Sequence, residues 1–117
     1  MDTKLEAVVV PVSDVDRSRH YYRALGFDLD RDDAAGDLRV VQLTPPGSLC
    51  SILIGTGLSS ALPGSACGVL RVVDLEAARA ELRARGAALG PVSRWPTGVS
   101  YVVFSDPDGN QWMLVGS

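Results

Sequence analysis

Apolar positions along this chain fall into short blocks whose spacing switches between a period of two and a period of about 3.6 residues. Residues 5–12 form a nearly continuous apolar run and predict a strand. After it, Ser13 or Asp14 is placed to cap a helix in which Val15, Ser18, Tyr22 and Leu25 share one face, and Gly26 ends that helix. Residues 27–30, 38–44 and 49–55 then read as three strands. The order is repeated further on. Residues 67–73 predict a strand, Asp74 a cap, Leu75, Ala78 and Leu82 a helical face, and Gly86 a stop; residues 88–93, 99–105 and 111–115 follow as strands. Pro45-Pro46-Gly47-Ser48 and Asp106-Pro107-Asp108-Gly109-Asn110 supply the turns, proline presetting φ and glycine accepting positive φ.

Sliding the sequence against itself by 60 residues matches Val9 with Val69, Val12 with Val72, Asp14 with Asp74 and Arg19 with Arg79. Arg23 with Arg83, Ala24 with Ala84 and Gly26 with Gly86 continue the register. Seven identities in eighteen positions, where unrelated stretches give about one, mark an internal duplication. The expected fold is therefore α+β: one domain over residues 1–117, built of two tandem βαβββ modules at 5–55 and 67–115. A linker of small and polar residues, 56–66, joins them.

The length of 117 residues, 46% apolar and 21% charged, is that of one globular domain. Eleven basic against fourteen acidic residues give a net charge of -3, which offers no broad footprint for nucleic acid. No apolar run approaches the roughly 20 residues of a membrane span, and the first six residues lack the apolar segment of a secretory signal. Cys50 and Cys67 belong to no CxxC or Cys/His cluster and read as reduced thiols of a cytoplasmic protein. Candidate chemistry is sparse. His20, the single histidine, falls within the first helix away from the strands, and no serine has a nucleophile-elbow setting. No catalytic residue emerges.

Three segments carry a family resemblance. They are Val10-Pro11-Val12-Ser13-Asp14-Val15-Asp16-Arg17-Ser18 leading to Tyr21-Tyr22 and Leu25-Gly26-Phe27, then Val73-Asp74-Leu75-Glu76-Ala77-Ala78, then Phe104-Ser105-Asp106-Pro107-Asp108-Gly109-Asn110. Together with the repeat they resemble the vicinal oxygen chelate superfamily, which includes glyoxalases, extradiol dioxygenases, fosfomycin-modifying enzymes and bleomycin-type resistance proteins. The resemblance implies curved mixed sheets around a concave pocket and a homodimer. It also implies that metal-dependent members carry a His on the first strand of each module and a Glu on the last. In this sequence those positions fall at Ala7, Cys67 and Met113, with a counterpart near Ile52, and Ala and Ile offer no donor for a divalent cation.

The resemblance and these replacements imply a metal-free protein that needs no cofactor and binds a small apolar or aromatic molecule, as drug-sequestering resistance proteins do. The alternative is a lyase, isomerase or dioxygenase with a displaced metal site, drawing ligands from Asp, Glu, Gln42 or Cys67; a purely structural or regulatory module is a third. Strand alternation puts Ala7, Val9 and Pro11 on one face, as it does Cys67, Val69 and Arg71, and Gln111, Met113 and Val115. The candidate ligand-binding residues are accordingly Val9, Arg39, Gln42, Ile52, Cys67, Arg71, Trp95, Tyr101 and Met113. Arg71 would anchor a ligand oxygen and Trp95 or Tyr101 would stack on a ring.

Overall fold

In the computed structural model, which describes residues 1–116, the chain folds into two four-stranded mixed sheets, each with one helix. The first half holds β1 (Ala7–Val9), α1 (Val15–Ala24), β2 (Asp28–Ala35), β3 (Leu38–Thr44) and β4 (Ser51–Thr56). The second holds β5 (Cys67–Arg71), α2 (Leu75–Ala84), β6 (Ser93–Arg94), β7 (Ser100–Ser105) and β8 (Gln111–Gly116). The sheets are ordered β1-β4-β3-β2 and β5-β8-β7-β6, the first strand of each running parallel to the last. This is the twice-repeated βαβββ arrangement that the 60-residue offset predicts. Among the described residues no helix is long and apolar enough to cross a membrane.

Both helices start and stop by the same chemistry. The Asp14 and Asp74 carboxylates accept the backbone N–H of Arg17 and Ala77, each at 3.0 Å, and satisfy donors that the first helical turn leaves free. At the other end Gly26 and Gly86 adopt φ of 100° and 107°. That left-handed turn lets Phe27 N–H reach the Tyr22 carbonyl and Ala87 N–H reach the Leu82 carbonyl, closing each helix.

The strands depart most from expectation in three places. β2 continues five residues beyond Asp30, because an edge strand tolerates the polar run Arg31–Ala35 while pairing with β3 through a register shift between Leu29 and Arg31. β6 shrinks to Ser93–Arg94, with only a single bridge from Leu89 to Phe104 upstream, since Pro91 has no N–H to donate. β1 ends before Pro11, although Val10 N–H still reaches Leu53.

One core spans both modules: Val10, Val41, Leu43, Ile52 and Ile54 from the first sheet meet Val102, Phe104, Trp112 and Leu114 from the second around Tyr22 and Phe27. Gly68 makes this possible, because Trp112 lies opposite it in the ladder and its ring occupies the space that a Cβ would take. Trp112 then stands edge-on to Tyr22, with ring centroids 6.2 Å apart.

A buried polar latch joins the halves. The Tyr22 hydroxyl donates to Asp106 at 2.6 Å and accepts from Trp112 Nε1 at 3.0 Å. Asp106 also accepts from the backbone of Asp108 and Asn110 and from the Asn110 amide, which itself donates to the Pro11 carbonyl at 2.7 Å. The turn Asp106–Asn110 is thus a structural clasp. By the same 60-residue offset the counterparts of Tyr22, Asp106, Asn110 and Trp112 are Leu82, Pro46, Cys50 and Ile52, which cannot form it. On that side of the junction a groove of about 470 Å³ stays open between the β3–β4 turn, β5 and α2.

Candidate functional site

Alternation along each strand gives a sheet one face against its helix and one outer face. On the second sheet the cross-strand registers line up three outer rows: Cys67 with Gln111 and Ser105; Val69 with Met113 and Val103; and Arg71 with Val115, Tyr101 and Ser93. The middle row is apolar, and Val69 is 55% exposed. Trp95, two residues beyond Ser93, stacks on Tyr101 with ring centroids 5.0 Å apart and planes at 30°. The Arg71 guanidinium has no carboxylate partner among the described residues. This face therefore offers an aromatic shelf, an apolar floor and a cation.

On the first sheet Ala7 pairs with Ser51, and Val9 with Leu53 and onward with Gln42. Val9 is 37% exposed, while Ser51 is buried beneath polar neighbours: Gln42 Nε2 donates to its hydroxyl at 3.2 Å, and Thr44 lies 2.7 Å away. Among the described residues the two sheets exchange no strand hydrogen bonds and do not close on one another. Between their facing first strands runs a cleft of about 480 Å³, lined by Val8, Val9, Cys50, Ser51, Cys67, Val69 and Gln111 among others.

Two of the candidates read from the sequence face the helix side of the first sheet. Ile52 is 3% exposed and faces the helix with Leu43, its ladder partner. The outer-face counterpart of Met113 is Leu53, since β1 and β4 pair as β5 and β8 do. Carrying the 60-residue offset to the last strands would have found it. Arg39 also turns toward the helix side: it grips Asp32 through Nε at 3.1 Å and Nη2 at 3.0 Å, and Asp16 on α1 through Nη1 at 2.9 Å. Hydrogen bonds from Arg39 hold the Asp32 carboxyl below its ordinary pKa, and the same pairing raises that of the guanidinium. Arg39 and Gln42 are three positions apart, so an unbroken strand cannot present both on one face. Val9, Gln42, Cys67, Arg71, Tyr101 and Met113 lie on outer faces, with Trp95 against Tyr101. Ser51, Thr44 and Asp30, which the sequence reading did not single out, join Gln42.

Elsewhere the perturbed groups belong to the clasp. Burial, then the hydrogen bond to Asp106, pushes the Tyr22 hydroxyl far up, and burial followed by the charge of Asp106 pushes Tyr21 up to about 12. Burial alone would raise Asp108, but hydrogen bonds from Ser13 and the charge of Arg17 hold it below the usual carboxylate value. These shifts report packing between the modules.

The sequence profile described as "Glyoxalase/Bleomycin resistance protein/Dioxygenase superfamily" matches residues 4–114. The chain belongs to that superfamily. Within it, a similar solved structure is that of TnmS3, an antibiotic binding protein from Streptomyces sp. CB03234: 32% identical over 98% of this chain and 96% of that one, TM-score 0.86. A glyoxalase/bleomycin resistance protein from the same Streptomyces is 33% identical, covering 96% and 99%, with TM-score 0.80. A superfamily member from Sphaerobacter thermophilus DSM 20745 is 28% identical, covering 99% and 98%, with TM-score 0.84. No protein of curated function matches.

The positions at which metal-dependent members of the superfamily hold their ion do not fit one in this chain. Ala7, Leu53, Cys67 and Met113 occupy them on the outer faces, without one imidazole or carboxylate. Among the described residues no three His, Cys, Asp or Glu side chains come together in a group that could hold a metal ion.

Proposed function

We propose that this superfamily member is a small-molecule-binding protein that works without a metal or other cofactor, in the manner of drug-sequestering resistance proteins. The observation that carries the reading is the outer face of the second sheet. There the Trp95–Tyr101 stack, the Val69–Met113–Val103 row and the unpaired Arg71 replace a metal site with an apolar surface and one directed charge. Such a surface suits a planar aromatic ligand, held by buried area and a few directed hydrogen bonds. Similarity to an antibiotic binding protein supports the same class of ligand.

In this reading the outer faces of the two modules are halves of binding pockets, and a second copy of the chain completes each one. The exposed apolar residues Val9 and Val69 and the unpaired edges of β1 and β5 support a homodimer. The expected setting is the cytoplasm, with neither nucleic acid nor membrane as partner. Among the described residues no group of three His, Cys, Asp or Glu side chains favours the displaced-metal enzyme.

Tryptophan fluorescence titration with a panel of planar antibiotics tests the proposal. Saturable quenching is expected, weakened several-fold or more in Trp95→Ala, since aromatic stacking contributes about 0.5–1.5 kcal/mol beyond burial. Quenching by no compound, or undiminished binding in Trp95→Ala, would count against it. Sedimentation equilibrium should return twice the chain mass; a monomer at micromolar concentration would remove the shared pocket.

A further inference from the structure

The outer face of the first sheet carries a directional hydrogen-bond chain. A carboxylate only accepts, so the Thr44 hydroxyl bound to Asp30 Oδ2 must donate its proton there. The contact of 2.7 Å between Thr44 and Ser51 then requires Ser51 to be the donor. Ser51 Oγ is left as an acceptor, and Gln42 Nε2 supplies its proton at 3.2 Å. Every link runs the same way, ending on Asp30. The orientation of the Gln42 amide follows: the nitrogen points at Ser51, and the carbonyl oxygen and second N–H have no partner among the described residues.

Gln42 sits beside Leu53, its ladder partner, and Leu53 in turn beside Val9. One amide, held at its nitrogen, is thereby set at the border of an apolar strip, with its carbonyl oxygen and its second N–H left without a partner among the described residues. We propose that Gln42, oriented by the Ser51–Thr44–Asp30 chain, is the specificity anchor of the first module and takes a planar ligand by a paired donor–acceptor edge, as in a lactam or cyclic imide. The proposal rests on the aromatic-binding reading above and adds the polar group that the ligand must carry. An untethered glutamine would lose side-chain entropy on binding; this one is already held at its head. Gln42 contacts the ligand, and Ser51, Thr44 and Asp30 are positioning residues.

The test compares two planar tricyclic probes, phenanthridinone, which has adjacent N–H and C=O groups, and N-methylphenanthridinone, which lacks the donor. Tryptophan quenching gives both affinities in the parent protein, Gln42→Leu and Thr44→Val. The parent should prefer phenanthridinone about ten-fold, the equivalent of ~1.4 kcal/mol. Gln42→Leu should abolish the preference and bind both probes more weakly than the parent, with a parent-like circular dichroism spectrum reporting an intact fold. Thr44→Val should lower the preference without removing it, an effect that a purely structural role would not produce. Equal affinity for the two probes in the parent, or a preference that survives Gln42→Leu, overturns the anchor while leaving the aromatic reading in place. Saturable quenching by neither probe overturns the aromatic reading, and the anchor with it.

Discussion

Replacing Tyr22 by Phe isolates the polar part of the clasp between the modules. The ring stays, and with it the packing against Phe27 at 5.3 Å and Trp112 at 6.2 Å, so only one oxygen is lost. That oxygen donates to the buried Asp106 and accepts from the buried Trp112 Nε1. Asp106 keeps three other donors, from the Asp108 and Asn110 backbones and the Asn110 side chain. The indole N–H keeps none. A hydrogen bond to a carboxylate contributes about 1.5–3 kcal/mol and an orphaned buried donor costs about 1–3 kcal/mol, so a combined loss of ~3 kcal/mol is expected. For a domain of this size that lowers Tm by roughly 10 °C. Tyr21→Phe is the control, because the Tyr21 hydroxyl makes one hydrogen bond, to the Ser105 carbonyl at 3.2 Å, and its loss orphans no buried donor, so it should cost under about 1 kcal/mol. Urea unfolding followed by tryptophan fluorescence measures both. A Tyr22→Phe protein within about 1 kcal/mol of the parent would refute the account of the clasp.

Gly68→Ala should force the Trp112 ring off β5, costing about 1–3 kcal/mol and red-shifting tryptophan emission; an unchanged spectrum and stability would contradict the packing described. Tyr21 holds its proton in the folded state up to about pH 12, whereas the unfolded chain loses it near pH ~10. Its contribution is therefore complete below pH ~10 and fades as pH rises toward about 12, which thermal melts across that range should show as a falling Tm. Asp32 and Asp108 have the opposite sense: their lowered pKa values stabilise the fold above the ordinary carboxylate value of 3.8, and that contribution is lost on further acidification. Arg71→Ala should weaken ligand binding, while Arg39→Ala, which breaks a helix-side ion-pair hub, should leave it unchanged; the reverse pattern in titration would reassign the two arginines.

The duplication and the helix ends were legible because they rest on local chemistry. Asp14 and Asp74 cap, Gly26 and Gly86 turn, and Val15, Ser18, Tyr22 and Leu25 are all buried as their spacing implies. Side-chain direction on the strands was less so, since a shift of one residue exchanges faces, as it did for Ile52 and Leu53. The ion pairs of Arg39 leave no local signal, because a charge on a strand looks alike whether it serves a ligand or an ion pair, and its partners Asp16 and Asp32 lie on other elements. The stretch Arg31–Ala35 has the composition of a loop and becomes strand only because β3 offers it a ladder. The chain from Gln42 to Asp30 joins β2, β3 and β4, so no local motif announces it.

Metal-independent ligand binding is tested most directly by calorimetric titration of one quenching compound into three samples of the protein: as purified, dialysed against a chelator, and reloaded with zinc, manganese or nickel. The account predicts the same affinity and one ligand per chain in all three, with no stoichiometric metal in the purified sample by elemental analysis. Binding that disappears on chelation and returns with one metal ion per chain would contradict it.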